Sequence, residues 1–220
     1  MGESEKRHEF MAGLTVGDIV GAVRAQLESA TAAREVALRH CRAAVQLSSK
    51  CIRALHRADW GEATRLLSEA RGSIAEISQS LSGYPELYYA GYVHDAQKEY
   101  VEAAFLTAIL CNQNLPRWTE LGVGAAAVLN GLAEAASELR RSILDLLKAG
   151  DTAKAERLLA VMEDVYWELI SCDFPDAVSG GLRRTTDALR AVLERTHGDV
   201  ALAVQQRSLE EALERYGRRV

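Results

Sequence analysis

The chain has 220 residues, 48% of them hydrophobic and 26% charged, with a formal net charge of −5. That length is enough to bury a full core, and its Ala, Leu, Glu and Arg set against only three prolines specify an all-α protein. An acidic total provides no whole-molecule field for nucleic acid, although a local basic patch is compatible with it.

Residues 1–14 read as a flexible polar tail lacking the apolar run of a signal peptide. No stretch of about 18 apolar residues offers a membrane span, so a cytoplasmic location is expected. From about Val16 to Leu55, Ala, Val and Leu recur on one helical stripe. Asp59 is placed to cap the second helix, with Glu62 three residues on in the capping-box position. Gly83 suits a left-handed stop and Pro85 the first turn of a third helix, which ends at the break "CNQNLPRW". A fourth helix is expected from about Thr119 to Leu147, with Gly150 just beyond it and Asp151 capping the next. Two more begin at Pro175 and after Gly198. The expected architecture is one domain, residues 15–220, built as a bundle of about seven helices with short connections.

Cys41, Cys51, Cys111 and Cys172 show no CxxC spacing and lie in helical segments, a pattern of reduced, buried thiols rather than a zinc site. His8, His40, His56 and His197 are scattered and form no Ser/His/Asp arrangement. The tyrosines Tyr84, Tyr88, Tyr89, Tyr92 and Tyr100 lie at helical spacing, where core packing is a more common role than base stacking.

The carboxylates are more informative. In "YYAGYVHDAQKEYVEAAF", Glu99 and Glu102 lie about 60° apart on a helix, with Asp95 about 40° to the other side of Glu99. His94 points about 100° away from Asp95. Further on, Glu134 and Glu138 share a face of "LGVGAAAVLNGLAEAASELRR", a thin segment whose Gly and Ala residues let a neighbouring backbone approach closely. Two helices presenting two carboxylates each could surround one hard divalent cation, magnesium or manganese, which would activate a water beside a phosphate. The same acids also fit a solvated face or arginine partners, and spacing does not choose between these readings. Arg140 and Arg141, with Arg183 and Arg184, form two basic steps suited either to phosphate contact or to ordinary surface pairing.

Three stretches together, "HDAQKEYVEA", "LGVGAAAVLNGLAEAASELRR" and "VYWELISCDFPDAVSGGLRRTTDALRAVLERT", resemble the translin/Trax family over most of the chain. The resemblance implies an all-α subunit that assembles into a hollow octamer holding RNA or single-stranded DNA. Trax-like members carry a metal-dependent endoribonuclease site made of acids. Glu99 and Glu102 match its first acidic pair and Glu134 and Glu138 its second, with Glu134 standing where an Asp is usual. On this reading the four acids are the metal ligands and catalytic residues, Asp95 supports them, and Arg140, Arg141, Arg183 and Arg184 position phosphates. The compact length is similar to a prokaryotic-type member, which would form a homo-oligomer with a site in every subunit. A non-catalytic RNA-binding shell is the alternative, and a purely structural acid–arginine network a third.

Overall fold

The computed structural model describes residues 15–217. The tail expected over 1–14 lies outside them. Among the described residues there are six long helices and three single turns. In chain order they are α1 (Val16–His56), α2 (Trp60–Ser80), α3 (Pro85–Tyr88), α4 (Gly91–Leu110), α5 (Trp118–Leu121), α6 (Ala125–Lys148), α7 (Thr152–Ile170), α8 (Asp176–Ser179) and α9 (Leu182–Gly217).

Local chemistry sets many of these ends. Thr15 and Asp18 form a complete capping box at the start of α1. Asp59 and Asp151 cap α2 and α7 by accepting from the backbone N–H groups of Glu62 and Lys154. Glu62 does not close a box, because its carboxylate is taken by Arg65. Gly150, at φ +78°, terminates α6 as expected.

The structure departs from the expected division at three places. Ala90 is extended, so the single turn α3 is separated from α4, and Gly83 is not among the left-handed glycines. Gly122, at φ +68°, stops the turn α5, and α6 starts only at Ala125. Pro175 begins a single turn, ended by left-handed Gly180 and Gly181, and the two helices expected around Gly198 are one continuous α9. Leu189, Leu193, Thr196 and Val200 form an unbroken buried stripe across Gly198. Burying that stripe outweighs the roughly 1 kcal/mol penalty of one mid-helix glycine.

α1 and α2 form an antiparallel pair, α4 packs against α1 and α6, and α6 is covered by α7 and α9. α1 and α4 run in the same direction. Arg34, midway along α1, sits over the Tyr92 ring at the start of α4, and Cys51 meets Thr107 near the ends of both helices. The core is continuous through this seam, from Ala44, Leu55 and Ile77 to Val101, Leu106, Leu139, Met162 and Leu189. Among the described residues, two apolar stripes are exposed: Val16, Ile19, Val20, Val23 and Leu27 on α1, and Leu202, Leu209, Leu213 and Tyr216 on α9. Cys41 and Cys51 are buried and Cys111 and Cys172 partly so, all four as free thiols. No helix among the described residues is long and apolar enough to cross a membrane.

Candidate metal centre

The site depends on how closely α4 and α6 approach. At Gly131 an added Cβ would lie 2.6 Å from the Lys98 carbonyl oxygen and 2.7 Å from the Val101 side chain. Only hydrogen fits there, so the two backbones come nearly into contact. The flanking Ala133, Ala135 and Ala136 are buried with almost no volume of their own. The start of α6 is also held from α4, because the Gly124 N–H donates to Gln97 Oε1 at 3.1 Å. On its far side Asn130 is buried and fully engaged. It donates to the carbonyls of Ala126 and Ser179, each at 2.8 Å, and accepts from Thr185 at 2.6 Å.

This seam brings acids together. One carboxylate oxygen each from Glu99, Glu102 and Glu134 lies within 4.8 Å of the others, and all three residues are partly buried. Oxygens in an octahedral shell at about 2.1 Å from a cation lie roughly 3–4 Å apart, so small side-chain rotations bring these three into one shell. The donor set is all hard oxygen, which suits magnesium or manganese.

The electrostatics record the same crowding. Burial, followed by the charges of Glu99, Glu134 and Glu138, pushes the Glu102 carboxyl up to about 8, with Lys98 opposing. Glu99 is also raised, first by burial and then by Glu134 and Asp95. Without a cation, Glu102 is therefore mostly protonated at neutral pH. Burial pulls the Lys98 ammonium down. Its hydrogen bond to Glu134 and the charges of Glu134, Glu99 and Asp95 prevail, leaving it above its ordinary value. Lys98 Nζ donates to Glu134 Oε1 at 2.7 Å.

Glu138 is held apart from the group of three. Its Oε1 accepts from His56 Nε2 at 2.6 Å, and the His56 side chain, on the last turn of α1, is only 4% exposed. Asp95 is exposed one turn before Glu99, where its charge reaches both Lys98 and Glu99. His94 is turned away, its ring packed against Gly180.

The four arginines have different surroundings. Arg140 reaches across to α9, donating to Thr196 at 3.0 Å and to Asp199 at 2.7 Å. Arg141 is exposed in a surface groove with Glu138 and Lys148. Arg183 and Arg184 lie exposed on the first turn of α9. Among the tyrosines, Tyr100 is buried, Tyr84 bonds to Ser29, Tyr88 accepts from Gln97, and Tyr89 is exposed.

Two site residues, His56 and Lys98, are not assigned to the acid cluster by the sequence. His56 arrives from α1, separated from Glu138 by 82 positions, so no local pattern marks it. Lys98 is adjacent to Glu99 in sequence, yet its partner is Glu134 on α6. The only sequence signal for that pairing is that Lys98 follows Asp95 by three positions on a face otherwise rich in acids.

No family model matches the chain. An uncharacterized protein of Methanocaldococcus jannaschii is 34% identical over 184 residues, which cover 83% of this chain and 81% of that protein. Among solved structures, AfC3PO in a complex with duplex RNA is similar at 35% identity and a TM-score of 0.80, covering 86% of this chain and 97% of that one. The AfC3PO crystal structure is 34% identical with a TM-score of 0.78, covering 86% and 98%. Apo-NeC3PO, at 20% identity and a TM-score of 0.76, shares the fold over 87% of this chain and all of its own.

Proposed function

The chain belongs to the translin/Trax family, and we propose that it is a metal-dependent endoribonuclease acting on RNA held inside a homo-oligomer, an octamer in the cytoplasm. The observation that carries this reading is the meeting of Glu99, Glu102 and Glu134 across the Gly131 seam, where burial and the neighbouring carboxylates push the Glu102 carboxyl up to about 8. The chain is 35% identical to AfC3PO over the 86% of its length that aligns, and the solved AfC3PO complex contains duplex RNA, which supports RNA as the ligand. The uncovered apolar stripes on α1 and α9 support assembly, since surfaces of that kind mark protein–protein contacts.

Glu99, Glu102 and Glu134 would hold magnesium or manganese. Such an ion supplies Lewis acidity and a bound water of lowered pKa beside a phosphodiester. The chain's own groups prepare the place. Lys98 holds Glu134 in position and offsets part of the like-charge repulsion around Glu102. His56 fixes Glu138 at the edge of the cluster, leaving its second oxygen for the ion or for the proton of an attacking water. Asp95 adds negative charge next to Glu99 from the solvent side.

A non-catalytic RNA-binding shell is favoured by one specific feature. Two of the four acids already have partners, Glu134 in Lys98 and Glu138 in His56. Cleavage of a labelled RNA in magnesium separates the two readings. The nuclease reading expects cutting by the parent chain and its loss in both Glu102→Gln and Glu134→Gln. RNA binding without magnesium-dependent cutting would select the shell.

A further inference from the structure

We propose that the face of α1 carrying Arg39, Arg42 and Arg53 is the track along which the phosphates of an RNA strand run past the acid cluster. This rests on the RNA reading above and assigns the surface that grips the strand.

Arg39, Arg42, Gln46, Ser49 and Arg53 recur every three or four positions, so they form one stripe on α1. The stripe borders α4. Arg39, Arg42, Gln46 and Ser49 share a surface groove with Tyr92 and Asp95, the approach to the acid face. Three residues after Arg53, His56 touches Glu138. Because α1 and α4 run in the same direction, the arginine stripe keeps alongside the acids from the Asp95 end to the Glu138 end.

These guanidiniums are available for a ligand. Arg39, Arg42 and Arg53 are exposed, and no carboxylate pairs with them among the described residues. Arg53 makes a single bond, to Ser49. Glu35, the acid one turn before Arg39, is taken by Arg34. Other arginines are paired, Arg65 to Glu62 and Glu69, Arg190 to Glu194 and Arg140 to Asp199, while the exposed Arg141, Arg183 and Arg184 do not share the groove with Tyr92 and Asp95. Lys98 is the cation acting on Glu99 and Glu102, so the α1 arginines do not neutralise the cluster.

A phosphate strand would be repelled by a cluster of acids unless cations flank it, and arginine's planar fork suits phosphate oxygens. From Arg39 to Arg53 the helix rises about 21 Å, about six nucleotide steps at 3.4 Å each. That length is enough to carry a strand across the whole acid face.

The test is a salt titration of binding to a labelled single-stranded RNA, in chelator so that nothing is cut. It compares the full chain with the triple variant Arg39→Gln, Arg42→Gln, Arg53→Gln. Each phosphate contact contributes about 0.7 to the log–log salt slope for a single strand, so the slope should fall by about 2 and the affinity by at least about tenfold. Manganese binding by the triple variant should match that of the parent, since none of the three residues belongs to the cluster. A triple variant with the parent's slope and affinity overturns the track and leaves the RNA reading standing. A parent chain that does not bind RNA overturns both.

Discussion

Replacing Gly131 with Ala tests the seam on which the site depends. In an open helical position this change stabilises, because Ala exceeds Gly in helix propensity by about 1 kcal/mol. Here the new methyl would lie 2.6 Å from the Lys98 carbonyl oxygen and 2.7 Å from Val101 Cβ and Cγ1. Ordinary carbon contacts begin near 3.4 Å, so α4 and α6 must separate by a large fraction of an ångström. Overpacking of this kind costs about 1–3 kcal/mol, which offsets the propensity gain and leaves a net loss of up to about 2 kcal/mol. For a chain of this size that lowers Tm by up to about 8 °C. Moving α6 also carries Glu134 away from Glu99 and Glu102, so manganese affinity should fall together with Tm. Gly72, exposed on α2 with nothing within 4 Å of an added methyl, is the matched control, and Gly72→Ala should raise Tm slightly. The assay is calorimetric unfolding of both variants beside manganese titration. If Gly131→Ala behaves like Gly72→Ala in both measurements, the close approach does not exist and the geometry of the site is wrong.

Stability of the metal-free protein should fall as pH rises through the range set by Glu102. The folded chain holds its proton up to about 8, whereas the unfolded chain releases it near the ordinary 4.5. Between these values the folded state binds more protons, so each pH unit removes up to about 1.4 kcal/mol until the loss levels off above 8. Glu102→Gln should flatten that slope and be the more stable form at pH 9 without metal, which denaturant titrations at several pH values will show. Saturating manganese should restore wild-type stability at high pH and leave Glu102→Gln little changed, read as a Tm shift. Asn130→Ala removes bonds to Ala126, Ser179 and Thr185 and leaves the buried Ser179 carbonyl without its donor. It should cost about 1–3 kcal/mol, with hydrogen exchange rising first around α8 and the start of α9.

Much of the fold could be read from the sequence because local chemistry specifies it. Asp59, Asp151 and Gly150 act where their residue types place them. Long apolar stripes give α1, α2 and α7 nearly to their ends, whereas α6 starts at Ala125 rather than near Thr119. Breaks set by tertiary contacts were harder to see. Gly198 resembles a helix end but lies inside α9, where burial of Leu193, Thr196 and Val200 overrides it. Pro85 opens only one turn, because the chain goes extended at Ala90 before Gly91.

The candidate site was legible to a similar depth. Helical spacing put Glu99 with Glu102, and Glu134 with Glu138, on common faces, and the small residues of α6 anticipated the close packing that joins them. Spacing could not supply the register between the two helices. That register is set at Gly131 and leaves Glu138 beside His56 rather than in the group of three. Lys98 and His56 belong to the site through contacts spanning 36 and 82 positions, which one-dimensional periodicity does not encode.

The proposed activity needs a cation held by three carboxylates on α4 and α6, and anomalous diffraction from a manganese-soaked crystal looks for it at the site itself. One strong peak is expected among Glu99, Glu102 and Glu134, with Lys98 displaced from Glu134 toward solvent. A soaked crystal with no peak there and the Lys98–Glu134 pair intact would contradict it.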